Sequence, residues 1–178
     1  MRSDWLFEPE LQHILGALTT ENRLACEISR ATGLRIGDVL ALTREQAIQG
    51  RFTVQEQKTG KNRRVSLPKE LQRRALLLAG DVYVFPHRYT GKRHRTRQAV
   101  YKDLKRAARL FRCRENITPH SLRKGFAVAQ FHNTGDMKRV QHLLNHSDEA
   151  VTMLYAMADE ITQRKYTRRA RHGKKNPH

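Results

Sequence analysis

The sequence predicts an α+β domain, mainly helical, with one small antiparallel β-sheet packed beside the helices. Three observations lead there. Apolar residues recur at helical spacing in most segments, between recognisable start and stop signals. A single stretch, about residues 51–67, changes to a period of two around a cluster of turn residues, which is the pattern of a hairpin. No internal repeat or linker breaks the chain before residue 170, and 178 residues suit one domain with a short tail.

The elements follow in order. Pro9 suits a first helical turn, and Leu11, Ile14, Leu15 and Leu18 then form one apolar stripe. A second helix is predicted from about Glu21 to Thr32, with Leu24, Ile28 and Ala31 on one side and Gly33 as the residue that stops it. After the turn GLR, the segment IGDVLAL makes a short third helix, and Thr43 opens the next turn. QAIQG is expected to add a short strand ahead of the hairpin. In the hairpin, Phe52 and Val54 alternate with polar residues, KTGKN turns, and Val65 and Leu67 return on one face.

Pro68 opens a helix that ends at Gly80, and DVYVFPHR is expected to be extended. From Thr96 a helix sets Val100, Leu104, Ala107, Ala108 and Phe111 on one face, with Lys102, Lys105, Arg106, Arg109 and Arg112 elsewhere. Thr118–Pro119 opens the next helix, closed by Gly135. Asp136 caps one through Leu144, and Ser147 or Asp148 caps another through about Met157. Residues 1–170 are thus expected to form one domain. Residues 171–178 form a basic tail expected to be disordered.

Composition narrows the function. Thirty-five Lys and Arg against 17 Asp and Glu give a net charge of +18, which predicts a polyanionic partner, nucleic acid first. A membrane surface fits less well, since there is no run of about 18 apolar residues and no basic helix with a bulky apolar face. The two cysteines, Cys26 and Cys113, lie far apart without a CxxC, so neither a disulfide framework nor a cysteine zinc site is indicated. The start, MRSDWLFEPE, lacks the apolar stretch of a secretory signal, and the expected location is cytoplasmic, bacterial or host-cell, with DNA. An aromatic content of 7% and the lack of an RNP motif disfavour an RNA-binding module.

The carboxylates are scarce and scattered, with no DxD, HExxH, P-loop or GxGxxG. No metal or small-molecule cofactor is therefore expected, and any phosphodiester chemistry must rely on side-chain cations. Four places supply them. Arg35 follows a helix-stopping glycine in TGLRIGD, and Lys58 sits at the hairpin tip in EQKTGKN. His120 and Arg123, three apart at a helix start, share one face. His146 follows a helix end, with Tyr155 nine positions later in NHSDEAVTMLY. Taken singly, each fits an ordinary surface or packing role.

Taken together, GLRIGDVLAL, QKTGKNRRVSLP, TPHSLRKGFA and LLNHSDEAVTMLY resemble the catalytic domain of the tyrosine recombinases, the phage integrase type, over about residues 10–160. That family's pattern is Arg, an acidic residue, a hairpin Lys, His-x-x-Arg, His or Trp, and Tyr. The matching positions are Arg35, Asp38, Lys58, His120, Arg123, His146 and Tyr155. PHSLRKGFA, followed by a His and a Tyr nine apart, is the most specific part. Asn145 stands where the family usually has Gly, and Asp38 where Glu is common. In 178 residues no counterpart is expected to the N-terminal helical domain that clamps DNA in the family; an isolated catalytic domain and a short natural member are both open, and either implies weaker or less specific binding.

The resemblance implies a site-specific recombinase that cuts and rejoins double-stranded DNA through a 3′-phosphotyrosine on Tyr155, without metal or ATP. It also implies self-association on DNA, a tetramer on paired sites. Arg35 and Arg123 would bind the non-bridging oxygens, and Lys58 would protonate the leaving oxygen. His120 and His146 would handle protons or donate to phosphate, and Asp38 would orient the arginine loop or His120. Independently of the resemblance, the charged face of the helix from Thr96 is expected to contact DNA through Lys102, Lys105, Arg106 and Arg109. Two alternatives stay open: a catalytically silent DNA-binding regulator of the same fold, and a relaxing activity like that of type IB topoisomerases. Tyr166, in the basic segment QRKYTRR, is a rival nucleophile.

Overall fold

The computed structural model describes residues 8–144. His146, Tyr155, Tyr166, the helix expected after Ser147 and the basic tail lie outside the described residues. A first unit runs to Phe126 and a second begins at Ala127.

The first unit is mainly helical. Helix α1 (Glu8–Gly16) carries the stripe Leu11, Ile14 and Leu15, continued by Leu18, and all four are buried. Helix α2 (Thr20–Thr32) buries Leu24 and Ile28 and closes on Gly33, whose φ of 69° is left-handed and whose N–H donates to the Ser29 carbonyl at 2.8 Å. A side chain would not fit there: a Cβ on Gly33 would lie 2.5 Å from Phe126 Cδ1. Helix α3 (Ile36–Leu40) follows directly, with Arg35 as its extended N-cap.

The expected strand at QAIQG is instead helix α4 (Arg44–Gln49). The reason lies in its ends. Thr43 and Gln46 form a reciprocal capping box, and Gly50 takes a φ of 67°, so a helix start signal and a helix stop signal sit on either side of the segment. Strands β1 (Arg51–Gln55) and β2 (Asn62–Ser66) then pair antiparallel, with Phe52 opposite Val65 and Val54 opposite Arg63. Phe52, Val54, Val65 and Leu67 are buried, as the alternation requires.

Helix α5 (Lys69–Leu78) begins after Pro68. The segment expected to be extended at DVYVFPHR forms only isolated bridges, Thr43 with Tyr83 and Pro86 with His94. Helix α6 (Arg97–Leu110) is capped by the Thr96 hydroxyl, which accepts from the Ala99 N–H at 3.2 Å. It buries Val100, Leu104, Ala107 and Ala108. Phe111 does not join that face: the helix ends at Leu110, and Phe111 is half exposed with its ring 6.1 Å from that of His13.

One carboxylate ties α6 to α2. Asp103 is buried on α6, and its Oδ2 accepts from the Thr19 N–H at 3.0 Å, the Thr19 hydroxyl at 3.2 Å and the Asn22 amide at 2.7 Å. Thr19 is the N-cap of α2 but makes no cap bond with its own side chain, so Asp103 satisfies this helix start from 84 residues away.

Helix α7 (Pro119–Thr134) starts in the first unit and continues into the second. Its first turn is closed by Ser121, whose hydroxyl accepts from the Thr118 N–H at 3.2 Å. In the second unit α8 (Met137–Leu143) is capped by Asp136, which accepts from the Arg139 N–H at 3.1 Å. No helix among the described residues is long and apolar enough to cross a membrane.

Candidate active site

The alternation along the hairpin runs one step beyond its apolar residues. After Phe52 and Val54, the next inward position is Glu56, and on the return strand Arg63 precedes Val65 and Leu67. The inner face of the hairpin therefore ends in a carboxylate and a guanidinium. Glu56 is fully buried; its Oε2 accepts from Arg35 Nη1 at 2.6 Å and from the Thr59 hydroxyl at 3.0 Å. Arg63 Nη1 lies 3.7 Å from Glu56 Oε1. Arg63 also donates to the carbonyls of Thr32 and Gly33, which clamps the hairpin onto the end of α2 just before Arg35. Burial draws the Arg63 guanidinium below its ordinary range, and the Glu56 charge acts against that.

Arg35 thus leaves α2 already engaged on one nitrogen. Its Nε and Nη2 are buried and make no hydrogen bond among the described residues. Those two nitrogens form the side edge of the guanidinium, the fork that grips two oxygens of a phosphate or carboxylate. Asp38, three residues on, is buried on α3, and its Oδ1 accepts from the Gln57 N–H at 2.9 Å. That bond goes to the residue before Lys58 and not to the Arg35 loop or His120. Burial raises the Asp38 carboxyl above its ordinary range and the nearby Glu56 adds to this, while the Gln57 N–H, Arg35 and Arg123 pull the other way.

Lys58 is exposed at the hairpin turn, held by the Glu56 N–H to Lys61 carbonyl bond at 3.0 Å and the Gly60 N–H to Glu56 carbonyl bond at 2.8 Å. His120 is exposed in the first turn of α7, and Arg123, one turn on, is 3% exposed. Pro at the first position of α7 suits a helix start, and three-residue spacing points both side chains the same way. Arg35, Asp38, Lys58, His120 and Arg123 all line one open cavity of about 520 Å³. Those five residues come from three separate stretches of sequence: the start of α3, the hairpin turn and the start of α7.

The cavity also holds residues that sequence reasoning passed over. Arg97, the first residue of α6, lines it, and Gly37 makes room for it: a Cβ on Gly37 would lie 3.1 Å from Arg97 Cδ. Nothing in the sequence separates Arg97 from the many other arginines. Glu56 and Arg63 did carry a signal, since period two puts both on the inward face. Among the described residues no group of three or more His, Cys, Asp or Glu could hold a metal ion. The site presents cations converging on one space, suited to an anion whose charge grows during reaction.

On α6, Lys102 and Arg109 are exposed. Lys105 is half-buried, bonded to the Asn116 side chain and 5.5 Å above the Tyr101 ring. Arg106 donates to Asp103 Oδ1 from Nε at 3.0 Å and Nη2 at 2.7 Å, and also to the Ala17 carbonyl.

Residues 4–161 match the phage integrase family. The tyrosine recombinase XerD of Bradyrhizobium diazoefficiens is 33% identical over 153 residues, covering 75% of this chain and 48% of that protein. A probable integrase/recombinase, YoeC, of Bacillus subtilis is 31% identical over 139 residues, 75% of each chain. Among solved structures, a lambda integrase dimer bound to a COC′ core site shares the fold with a TM-score of 0.72 at 24% identity, over 86% of this chain and 48% of that one. XerA recombinase gives a TM-score of 0.65 at 22% identity, over 92% and 66%. The chain spans about half the length of the first curated relatives it matches.

Proposed function

Because the chain belongs to the phage integrase family, the tyrosine recombinases, we propose that it cuts and rejoins double-stranded DNA at specific sites through a covalent phosphotyrosine. The observation that carries this is the single cavity lined by Arg35, Lys58, His120 and Arg123. Tyr155 is the proposed nucleophile, and His146 is assigned the role of a donor to phosphate. Neither a metal nor ATP is part of the proposed chemistry.

The Tyr155 hydroxyl attacks phosphorus, a new P–Oη bond forms, and the bond from phosphorus to the 5′-oxygen breaks. The products are a 3′-phosphotyrosine and a free 5′-hydroxyl. A free tyrosine pKa of about 10 means little phenolate at neutral pH, so His120 takes the phenol proton as attack proceeds. Arg35 and Arg123 hold the two non-bridging oxygens, where charge accumulates on the pentacoordinate phosphorus. His146 donates to a phosphate oxygen. Lys58 delivers a proton to the departing 5′-oxygen, and the exposed hairpin turn gives it reach. Since the phosphodiester is exchanged for a phosphotyrosine, its energy is kept, and attack by a 5′-hydroxyl of another strand reverses the steps.

Strand exchange between two duplexes needs several copies. A lambda integrase tetramer bound to a Holliday junction shares the fold with a TM-score of 0.71, and the proposal extends to four copies of this chain on paired sites. Lys102 and Arg109, exposed on α6, are assigned to DNA contact. Supercoiled plasmid incubated in EDTA and quenched with SDS tests the cavity directly. Arg123→Ala should slow adduct formation by about 10²–10³-fold, as loss of a transition-state donor does. Lys58→Ala should slow it by about 10²-fold. Once the cut is mapped, sulfur in place of the 5′-oxygen should restore the Lys58 variant, because a thiolate leaves without a proton. Adduct formation at wild-type rate in Arg123→Ala would overturn the proposal.

A further inference from the structure

We propose that Glu56 is a positioning residue for this reaction: its buried carboxylate fixes which edge of Arg35 faces the phosphate and ties that edge to the turn bearing Lys58. The inference rests on the function proposed above and adds a residue outside the cavity lining to it.

The geometry is specific. Arg35 Nη1 is taken by Glu56 Oε2 at 2.6 Å, which leaves the Nε and Nη2 edge, without a hydrogen bond among the described residues, to meet an anion. A buried donor without an acceptor is unfavourable, and a phosphate in the cavity would satisfy two at once. Rotation of the guanidinium about its own stem would break the bond to Glu56, so the carboxylate selects one orientation out of several. The same Oε2 accepts from the Thr59 hydroxyl at 3.0 Å, one residue after Lys58. The main chain of Glu56 closes the turn on both sides, through Lys61 and Gly60. Arg63, 3.7 Å from Oε1, balances the carboxylate and pins the hairpin to the Thr32 and Gly33 carbonyls. One side chain thus couples the arginine that holds the phosphate to the turn of the lysine that protonates the leaving oxygen.

A buried carboxylate between two guanidinium groups could serve stability alone, and the test must separate the two roles. Glu56→Ala strands two buried cations and is expected to unfold in part. Glu56→Gln keeps the size and one acceptor oxygen and carries the test, with thermal melting to show it folded. Three quantities are read on the full chain with labelled, negatively supercoiled plasmid: affinity, the single-turnover rate of SDS-stable adduct formation, and the same rate in an Arg35→Ala background over long incubation. Glu56→Gln should leave affinity within about twofold and slow adduct formation by roughly 10–100-fold, since misplacing a group by an ångström can cost about 10²-fold. In Arg35→Ala it should change the residual rate by no more than about twofold, because the group it positions is gone. An adduct rate equal to wild type, or an equal slowing with and without Arg35, would overturn the proposal. If wild type itself forms no adduct, the recombinase function fails and this inference falls with it. A reactive wild type beside an equally reactive Glu56→Gln overturns only the role of Glu56.

Discussion

Replacing Asp103 with alanine removes one carboxylate that accepts five hydrogen bonds: two from Thr19, one from Asn22 and two from Arg106. The Asn22 amide is 2% exposed and would be left facing no acceptor, which alone costs about 1–3 kcal/mol. The Thr19 N–H at the start of α2 loses its cap as well, worth about 1 kcal/mol. The Arg106 pair counts for little, because that side chain is 55% exposed and screened by solvent. The sum is about 3 kcal/mol, or a melting temperature lower by about 6–12 °C for a chain of this size. The dependence on pH has a definite sign. Burial pushes the Asp103 carboxyl up, but the bonds from Asn22, Thr19 and Arg106 outweigh it and hold it below its ordinary value of 3.8. A depressed folded pKa gives stability that is present above the unfolded value and lost as pH falls through the folded one. Thermal melts of wild type and Asp103→Ala should therefore differ by a constant gap from about pH 5 to 7, narrowing at more acid pH. A loss under about 1 kcal/mol, or a gap that does not narrow, would refute the reasoning.

Other consequences follow from the same geometry. Gly33→Ala combines a left-handed φ of 69° with a Cβ 2.5 Å from the Phe126 ring, and should cost about 2–4 kcal/mol by denaturant melts; a neutral result would mean that Phe126 yields easily. Asp38 has a raised folded pKa, chiefly through burial, so wild-type stability should fall as pH rises from the ordinary carboxylate range through that raised value. Asp38→Asn should gain on wild type across that window and run parallel above it, and urea midpoints from acid to neutral pH check the sign. Lys102→Ala and Arg109→Ala should each reduce the log–log salt slope of DNA binding by about 0.9, while Arg106→Ala, whose guanidinium is bonded within the chain, should leave that slope unchanged.

Much of the fold was legible where signals were local. The stripe Leu11, Ile14, Leu15 and Leu18, the stop at Gly33 and the hairpin alternation each depend on neighbours within a few residues, and each appears as expected. QAIQG misled because its apolar content fits either state, and the Thr43–Gln46 capping box decides it. Phe111 misled because helical phase was extended past the point where α6 ends. The site was legible as a set of residue types, and the cavity that gathers Arg35, Asp38, Lys58, His120 and Arg123 is a product of the fold. What escaped was long-range: Arg35 meets Glu56 across 21 residues, and Thr19 meets Asp103 across 84. Glu56 and Arg63 sat on the inward face of a hairpin whose period had already been recognised. A charged residue in an inward position is the signal that would have found them.

Covalent trapping tests the central claim most directly. Labelled supercoiled DNA is incubated in EDTA with wild type and with Tyr155→Phe, quenched with SDS, and examined for DNA that migrates with protein. The account predicts an adduct with wild type and none with Tyr155→Phe. No adduct with wild type, while salt-sensitive DNA binding persists, would contradict it in favour of a DNA-binding regulator, and an adduct that survives in Tyr155→Phe would show that another residue is the nucleophile.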